Sequence, residues 1–297
     1  DRHPLDDAIA GDAGGVAGLG HRFSGAGWLL WLRRTLADAG GVGALAARLA
    51  TLLDRLRQAP LQLALVGDTA TAAEQQALLR ASWSGWRLAE LGDHQHQIRL
   101  PAAAATSPPL ALTMASPVSF CALSLATVPM EHPDAAALAV ASHYLRDEVL
   151  HRRIREQGGA YGAICSYRGG SGRFACASYR DPRLSATFAD IEQALRELPG
   201  QADDPARLKA AILSQIAQID SPASPAGEGR RRFVGGLTGF DPERINAYRA
   251  RILAVDWPAI RAAAERWLAP EGASRAVLSS AEQCSAEVAD WQQLSLT

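Results

Sequence analysis

A predicted helix that runs into two glycines, followed by a hairpin pattern, limits the possible folds of this chain most strongly. The helix is indicated by apolar residues at helical spacing: Leu138, Leu145, Val149 and Ile154. Gly158-Gly159 then predicts a reversal, because glycine adopts left-handed backbone angles at little steric cost. Two alternating runs follow, residues 160–168 and 173–179, and the glycine-rich residues 169–172 between them have the composition of a tight turn. The sequence therefore predicts helix, bend and hairpin in that order.

Arg155 and Tyr161 lie on either side of the predicted bend. Arg155 ends the helix and Tyr161 begins the first strand of the hairpin. Across a reversal, a guanidinium and a phenol this close in sequence can point into one cleft, where both would donate hydrogen bonds to a substrate carbonyl or oxyanion. Each also has an ordinary structural interpretation, since an arginine near a helix C-terminus interacts with the helix dipole and a tyrosine that opens a strand often packs. This pair is the candidate site that the residues themselves indicate.

The cysteines are too few and too far apart for a disulfide scaffold or a zinc ribbon. There are four, none in a C-x-x-C pair: Cys121, Cys165, Cys176 and Cys284. We therefore expect a reducing compartment. If the hairpin turns at Gly170-Ser171, Cys165 lies directly opposite Cys176, where a cross-strand disulfide is geometrically possible. Buried free thiols are the favoured alternative.

The composition excludes several kinds of partner. A chain of 297 residues is long enough for about two domains. Its formal net charge of −1 and pI near 6.7 provide no strongly basic surface for nucleic acid or anionic membranes. No run of about 18 apolar residues occurs, so we predict no membrane-spanning helix. We expect neither nucleic acid nor membrane as a partner.

The first part of the chain is predicted to be mostly helical. Residues 1–23 lack periodicity and are interpreted as loop, whereas residues 28–36, 45–56 and 71–83 have helical spacing. The apolar run Leu61–Val66, closed by Gly67-Asp68, predicts a buried strand. We assign residues 1–88 to a mostly helical segment with one strand, the end of a preceding domain, and residues 89–112 to a linker.

Residues 113–297 are predicted to form an α+β domain, with an antiparallel-rich sheet and helices packed on one face. The apolar run Val118–Val128 predicts a central strand, and residues 275–279 predict a late one. Pro133-Asp134 predicts one helix start, and repeated Asp-Pro or Asp-x-Pro signals predict others near Asp181, Asp204, Asp241 and Asp256. A last helix is predicted over residues 281–291. The arginine run at residues 230–232 is interpreted as a solvated helix face, with contact to substrate carboxylates as the alternative.

Three stretches together resemble one family. LHRRIREQGGAYG, SYRDP and QIDSPASPAGEGRRRF, in this order, resemble the C-terminal half of the presequence-protease branch of the insulinase/pitrilysin zinc metallopeptidases. The resemblance covers roughly residues 118–268. It implies an α+β peptidase-half fold in which Arg155 and Tyr161 are catalytic and contact the bound peptide. We also predict Gly158 and Gly159, in the bend between them, as substrate-binding residues. It also implies that zinc is held by an N-terminal half.

The zinc motif of that family is missing from this sequence. Those enzymes use an H-x-x-E-H helix, whose two imidazoles bind zinc and whose glutamate acts as general base. His143 and His151, with Glu148 between them, do not reproduce that spacing, and we interpret them as solvated or packed helix residues. His94-x-His96 can chelate a metal in principle, but a solvated linker explains both. We therefore predict no metal site in this chain and zinc in the full-length enzyme.

The leading hypothesis is the C-terminal, non-zinc half of a peptidase that degrades short unstructured peptides. Its partners would be the peptide and the N-terminal zinc-binding half of the same polypeptide, and this chain alone would hydrolyse nothing. The start, DRHPLDD, has neither an initiator methionine nor a signal-peptide pattern, so we expect a fragment of a longer polypeptide. Any targeting signal would then lie upstream; the localisation is not assigned, with the cytoplasm favoured. The alternative is a catalytically silent structural or peptide-binding subunit of the same fold.

Overall fold

The computed structural model describes residues 26–86 and 108–296. His94 and His96, the predicted N-terminal loop and most of the predicted linker lie outside these residues. The helices are α1 (Ala26–Ala37), α2 (Gly41–Gln58), α3 (Thr69–Ser82), α4 (Ala135–Tyr144), α5 (Ser185–Glu197), α6 (Pro205–Ile219), α7 (Pro225–Thr238), α8 (Pro242–Leu253), α9 (Trp257–Trp267) and α10 (Ala281–Glu287). A π-helical segment, Leu145–Gln157, continues directly from α4. Two 3₁₀ turns cover Leu198–Gly200 and Pro270–Gly272.

Within the described part of the chain, six strands form one sheet. They are β1 (Leu110–Thr113), β2 (Ser119–Ala126), β3 (Gly162–Arg168), β4 (Arg173–Asp181), β5 (Ser274–Ser279) and β6 (Gln292–Ser295), in the spatial order β3-β4-β2-β5-β1-β6. The pairs β3/β4, β4/β2 and β2/β5 are antiparallel, whereas β5/β1 and β1/β6 are parallel. The prediction of an α+β fold with a mostly antiparallel sheet is confirmed, and β3 lies at one edge.

The hairpin forms as the glycine pattern predicts. Strands β3 and β4 pair in antiparallel register, and the turn between them brings Cys165 directly opposite Cys176. Gly172 has a φ of +61°, and a Cβ there would lie 3.2 Å from the Thr127 carbonyl oxygen. Glycine is required at this position because the backbone is left-handed there and passes close to the residue that follows β2.

The register assigns the side chains of the sheet to two faces. One row of paired residues runs from Cys165 through Cys176 and Leu123 to Arg275, whose Nε donates to Glu192 of α5 at 2.9 Å. This face therefore packs against helix α5. The neighbouring row points the opposite way, and its buried members form a separate apolar cluster: Leu112, Ala122, Ala177 and Ala276. Helix α4 belongs to the interior, since every one of its residues is buried.

The chain divides into two compact units, and each is described by itself. In the described residues, the first unit comprises 26–30, 108–219 and 248–296 and contains the whole sheet. The second comprises 31–86 and 220–247, and therefore α2, α3, α7 and most of α1. The domain boundaries inferred from the sequence stay a prediction.

The strand predicted at Leu61–Val66 is wrong. Residues 62–66 are irregular, and Leu63, Leu65 and Val66 are exposed. An apolar run indicates that a segment is suited to a sheet, but a strand also needs a neighbouring strand to satisfy its backbone. Two short strands were missed because four residues are too few to show a period. Strand β1 falls largely in the predicted linker, and β6 begins directly after the predicted last helix, which in the structure already ends at Glu287.

Candidate functional site

The bend is built by backbone hydrogen bonds that close the end of the π-helical segment. The Gly159 N–H donates to the Arg155 carbonyl at 3.1 Å, and the Ala160 N–H donates to the Ile154 carbonyl at 3.1 Å. Gly159 has a φ of +81°, in the left-handed region where a side chain is disfavoured. The sequence reaches Tyr161 directly after this reversal, as the diglycine predicts.

Gly158 is needed for another reason, which is close packing. A Cβ at Gly158 would lie 2.0 Å from Nη2 of Arg183 and 2.6 Å from the Ile154 carbonyl oxygen. Arg183 is held there by an ion pair with Asp190, with Nη1 2.9 Å from Oδ2. Gly158 is therefore buried under a guanidinium from the segment that follows β4, whereas Gly159 is exposed.

Arg155 is exposed near the end of the π-helical segment. Its Nη1 lies 3.2 Å from Nε2 of His151, one turn earlier. Nδ1 of His151 is in turn 3.3 Å from a carboxylate oxygen of Glu156. This imidazole therefore lies between a guanidinium and a carboxylate at the surface of the segment.

Tyr161 is also at the surface, with 60% of its area exposed. Its ring centroid lies 5.2 Å from that of Tyr179, with the two planes tilted by 56°. The guanidinium carbon of Arg180 lies 5.8 Å from the Tyr161 ring centroid, within the range of a cation–π contact. The Tyr161 N–H donates to the Arg180 carbonyl at 3.2 Å. Both partners come from the SYRDP motif, so this motif supports Tyr161 from β4.

A glycine makes this aromatic contact possible. A Cβ at Gly162 would lie 2.5 Å from Cε1 of Tyr179, so the Tyr179 ring lies directly over this position. Arg180 has a φ of +50°, which is rare for a residue with a side chain. The absence of a side chain at residue 162 and the positive φ of Arg180 together allow Tyr179 and Arg180 to contact Tyr161.

Asp181 completes the motif from the interior. It is fully buried, and it accepts hydrogen bonds from the Thr187 hydroxyl at 2.7 Å and from the Arg183 N–H at 3.0 Å. The carboxylate therefore holds the start of α5 in place and positions Arg183 next to Gly158. Sequence reasoning used SYRDP only as a family signature. Pairing of the hairpin brings this motif directly opposite the bend, and that position indicates the roles of Tyr179, Arg180 and Asp181.

The structure thus places Arg155 and Tyr161 at the surface on either side of one tight bend. Their described contacts differ: Arg155 contacts His151, and Tyr161 contacts Tyr179 and Arg180. Neither side chain is in the packed core. Both polar groups are therefore accessible, and their common entry into one cleft stays a prediction.

The histidines considered from the sequence have ordinary surroundings. His143 is buried, and its Nε2 lies 3.3 Å from the side-chain oxygen of Gln218. Burial, with a contribution from the charge of Arg146, lowers the pKa of His143. Glu148 pairs with Arg207 at 3.2 Å. In residues 26–86 and 108–296, no group of three or more His, Cys, Asp or Glu side chains is arranged to hold a metal ion, so these residues do not fit a zinc site.

The surface of the second unit is partly apolar. Four leucines of α2, at the spacing of one helix face, are each at least 42% exposed: Leu49, Leu52, Leu53 and Leu56. In helix α7, Arg231 and Arg232 both pair with Glu228 within the helix, which agrees with the solvated-face interpretation of the arginine run. Among the described helices, none has the length and apolar character needed to cross a bilayer.

Part of this chain is similar to a known protein family. Residues 130–264 match the family model described as the PreP C-terminal domain. The chain is 35% identical over 162 residues to the mitochondrial presequence protease of Yarrowia lipolytica, which is 54% of this chain and 16% of that protein. It is 37% identical over 142 residues to that of Danio rerio, which is 46% of this chain and 13% of the relative. The chain therefore spans only about one-sixth of the length of such curated relatives.

Solved structures agree in fold. A protease from Helicobacter pylori superimposes with a TM-score of 0.55 at 16% identity, over 72% of this chain and 53% of that one. The peptidase M16 inactive domain from Pseudomonas fluorescens gives 0.54 at 13% identity, over 70% of this chain and 50% of that one. At these identities the likeness concerns the fold alone. The family model and the relatives together show that part of this chain is similar to the C-terminal domain of the presequence proteases, and the solved structures show that its fold resembles that of peptidase domains.

Proposed function

We propose that this chain is the C-terminal portion of a zinc metallopeptidase that degrades short unstructured peptides, and that it supplies the substrate-contacting residues Arg155 and Tyr161. The observation that carries the proposal is the exposed Tyr161, fixed by Tyr179 and Arg180 directly after the bend. The relatives named presequence proteases support the activity, and the match to the PreP C-terminal domain supports the part of the enzyme.

The chemistry of the two side chains suits this role. A phenol hydroxyl donates one hydrogen bond, and a guanidinium offers five donors in a fixed plane. Placed beside a scissile peptide bond, the Tyr161 hydroxyl would donate to the carbonyl oxygen as negative charge develops on it, and Arg155 would bind a neighbouring carbonyl of the peptide. Gly159 leaves the bend free of a side chain, which lets an extended peptide approach the backbone.

Zinc belongs to the missing portion in this proposal. The described residues do not fit a zinc site, so zinc would be held by an N-terminal portion, where it would supply the activated water. The role of this chain is to bind and orient the peptide. We therefore expect the isolated chain to be inactive.

The apolar face of α2 supports a partner portion of this kind. Four exposed leucines at helical spacing are an unusually apolar surface, and such surfaces commonly mark interfaces. We expect the N-terminal portion to cover this face. Leu52→Glu combined with Leu56→Glu would then abolish co-purification of the two portions, whereas Leu237→Glu on α7, a residue with similar exposure, would leave it intact.

Reconstitution tests the proposal and separates it from the alternative of a silent subunit. The chain and the N-terminal portion encoded with it are produced separately and mixed, and cleavage of an unstructured peptide is followed. We expect activity only in the mixture, with Arg155→Ala lowering kcat/KM at least tenfold and the exposed neighbour Arg152→Ala having no effect. Full cleavage by the N-terminal portion alone would instead assign this chain a silent structural role.

A further inference from the structure

Two thiols are in contact inside the hairpin. Cys165 of β3 and Cys176 of β4 are directly opposite in the register, and their Sγ atoms are 3.0 Å apart. Both are buried, with 3% and 1% of their surface exposed, and both are free thiols. The peptidase chemistry proposed above does not use them.

The backbone around this pair already suits a covalent bond. Directly opposite residues of an antiparallel pair have Cα atoms about 4.5–5.5 Å apart, and disulfides form at Cα separations of about 4.4–6.8 Å. The sulfurs therefore need to approach by only about 1 Å to reach a bonding distance of about 2.05 Å. Small rotations about the two side-chain bonds provide this movement, and the strands need not shift.

The other two cysteines lack this arrangement and serve as internal controls. Cys121 is buried in β2, where the register places it opposite Ser178 of β4 and Val277 of β5 rather than opposite a thiol. Cys284 is buried in α10. All four thiols are thus shielded from solvent, and what distinguishes Cys165 and Cys176 is the sulfur neighbour.

We propose that Cys165 and Cys176 are a redox-active dithiol, which hydrogen peroxide oxidises to an intrachain disulfide that ties edge strand β3 to β4. In the first step, one sulfur attacks a peroxide oxygen, the O–O bond breaks and water leaves, giving a sulfenic acid. The second sulfur then attacks the sulfenic sulfur, the S–O bond breaks and a second water leaves as the S–S bond forms. Two electrons pass from the two thiols to one peroxide, which becomes two molecules of water.

Burial makes this exchange slow in both directions. Oxidation starts from a thiolate, and desolvation raises the pKa of the Cys165 thiol, so little thiolate is present at neutral pH. The same burial then shields the disulfide from reducing thiols. The dithiol is therefore expected to record sustained peroxide exposure rather than brief fluctuations.

The disulfide would act on the edge of the sheet. Strand β3 is paired on one side only within the sheet, and edge strands open more easily than central ones. A covalent link in the middle of β3 restricts that opening. Because Tyr161 directly precedes β3, the link also restrains the end of the strand from which Tyr161 projects.

Peptide mapping of the oxidised chain tests this proposal. The reduced, folded full chain is incubated with hydrogen peroxide and the peroxide is removed. The protein is then unfolded in urea so that every remaining free thiol can be alkylated, and it is digested without reductant for mass spectrometry. We expect a Cys165–Cys176 cross-link and the loss of two of the four alkylatable thiols. The Cys121→Ser/Cys284→Ser double variant should form the same cross-link, and Cys176→Ser should form none.

Further measurements test the effect of the disulfide on β3 and control for the dose of peroxide. Oxidation should slow amide hydrogen exchange in β3 and raise the Tm by about 5 °C in the wild type, with neither change in Cys176→Ser. A parallel sample unfolded in urea shows that the peroxide dose is sufficient. The proposal is overturned if peroxide oxidises the unfolded sample but leaves Cys165 and Cys176 of the folded sample as free thiols. It is also overturned if peroxide converts this pair in the folded sample to two separate sulfinic acids.

Discussion

The Tyr179 ring rests over the backbone of Gly162 and meets the ring of Tyr161 with the two centroids 5.2 Å apart. This contact links the SYRDP motif to the diglycine bend. It explains why a glycine follows Tyr161 in the sequence, and it gives the exposed tyrosine a defined position.

Replacing Gly162 with alanine should displace Tyr179. The new Cβ would come within 2.5 Å of the Tyr179 ring, so either the ring or strand β3 must move. Overpacking of this kind costs about 1–3 kcal/mol, measured as the free energy of unfolding in urea. Gly200→Ala is the matched control, because a Cβ there meets nothing within 4 Å. Equal stability of both variants would show that the ring contact is not as described.

The bend should tolerate asparagine at residue 159 better than alanine. Gly159 has a φ of +81°, and asparagine is enriched in the left-handed region. We expect Gly159→Ala to cost about 1–2 kcal/mol of unfolding free energy and Gly159→Asn to cost clearly less. Thermal denaturation monitored by circular dichroism is sufficient for the comparison. The reverse order would contradict a left-handed bend.

Removing the charge of Asp181 should destabilise the domain more than the same change at Asp190. Asp181 is fully buried and accepts hydrogen bonds from Thr187 and from the Arg183 backbone, whereas Asp190 is partly exposed. Asp181→Asn places an amide N–H₂ where acceptors are needed, which costs about 1–3 kcal/mol. Asp190→Asn should cost less, because solvent screens its ion pair. The comparison is made by urea unfolding of both variants at neutral pH.

Acid should destabilise the domain through His143. Burial lowers the pKa of this histidine in the folded state, so the unfolded chain binds the proton more readily. Protons therefore favour unfolding: the contribution of His143 to stability is complete above the unfolded pKa of about 6.5 and declines as the pH falls from there towards the folded pKa. The groups around the ring are Gln215, Gln218, Arg146 and Asp147. His143→Gln should flatten the stability profile below about pH 6.5. An unchanged profile would assign the acid sensitivity to other groups.

How far the sequence predicts this structure depends on the element. The hairpin and the bend were predictable because glycine marks them directly, and the register of Cys165 and Cys176 followed from the position of the turn. The strand predicted at residues 61–66 was wrong because an apolar run does not show whether a neighbouring strand is present. Strand β6 was missed because its residues Gln292–Ser295 have neither the length nor the alternation of a typical strand.

The candidate site was likewise only partly predictable from the sequence. Arg155 and Tyr161 were found from their spacing and the family resemblance, and both are at the surface. The supporting roles of Tyr179 and Arg180 were not predictable, because they arise from the pairing of β3 with β4 and from the positive φ of Arg180. Such contacts depend on tertiary structure and have no local period. Arg183 was missed for the same reason, since its packing on Gly158 joins two distant segments.

The central claim is that the Tyr161 hydroxyl acts on the bound peptide. It is tested most directly by kcat/KM for an unstructured peptide in the complete enzyme, comparing Tyr161→Phe with Tyr167→Phe. Both variants lose one hydroxyl from the same part of the hairpin, but the Tyr167 hydroxyl donates to the Val128 carbonyl inside the domain. We predict a roughly 10²–10³-fold loss for Tyr161→Phe, as for removal of an oxyanion donor, with the zinc content unchanged and Tyr167→Phe near wild type. Full activity of Tyr161→Phe at normal zinc content would contradict the account.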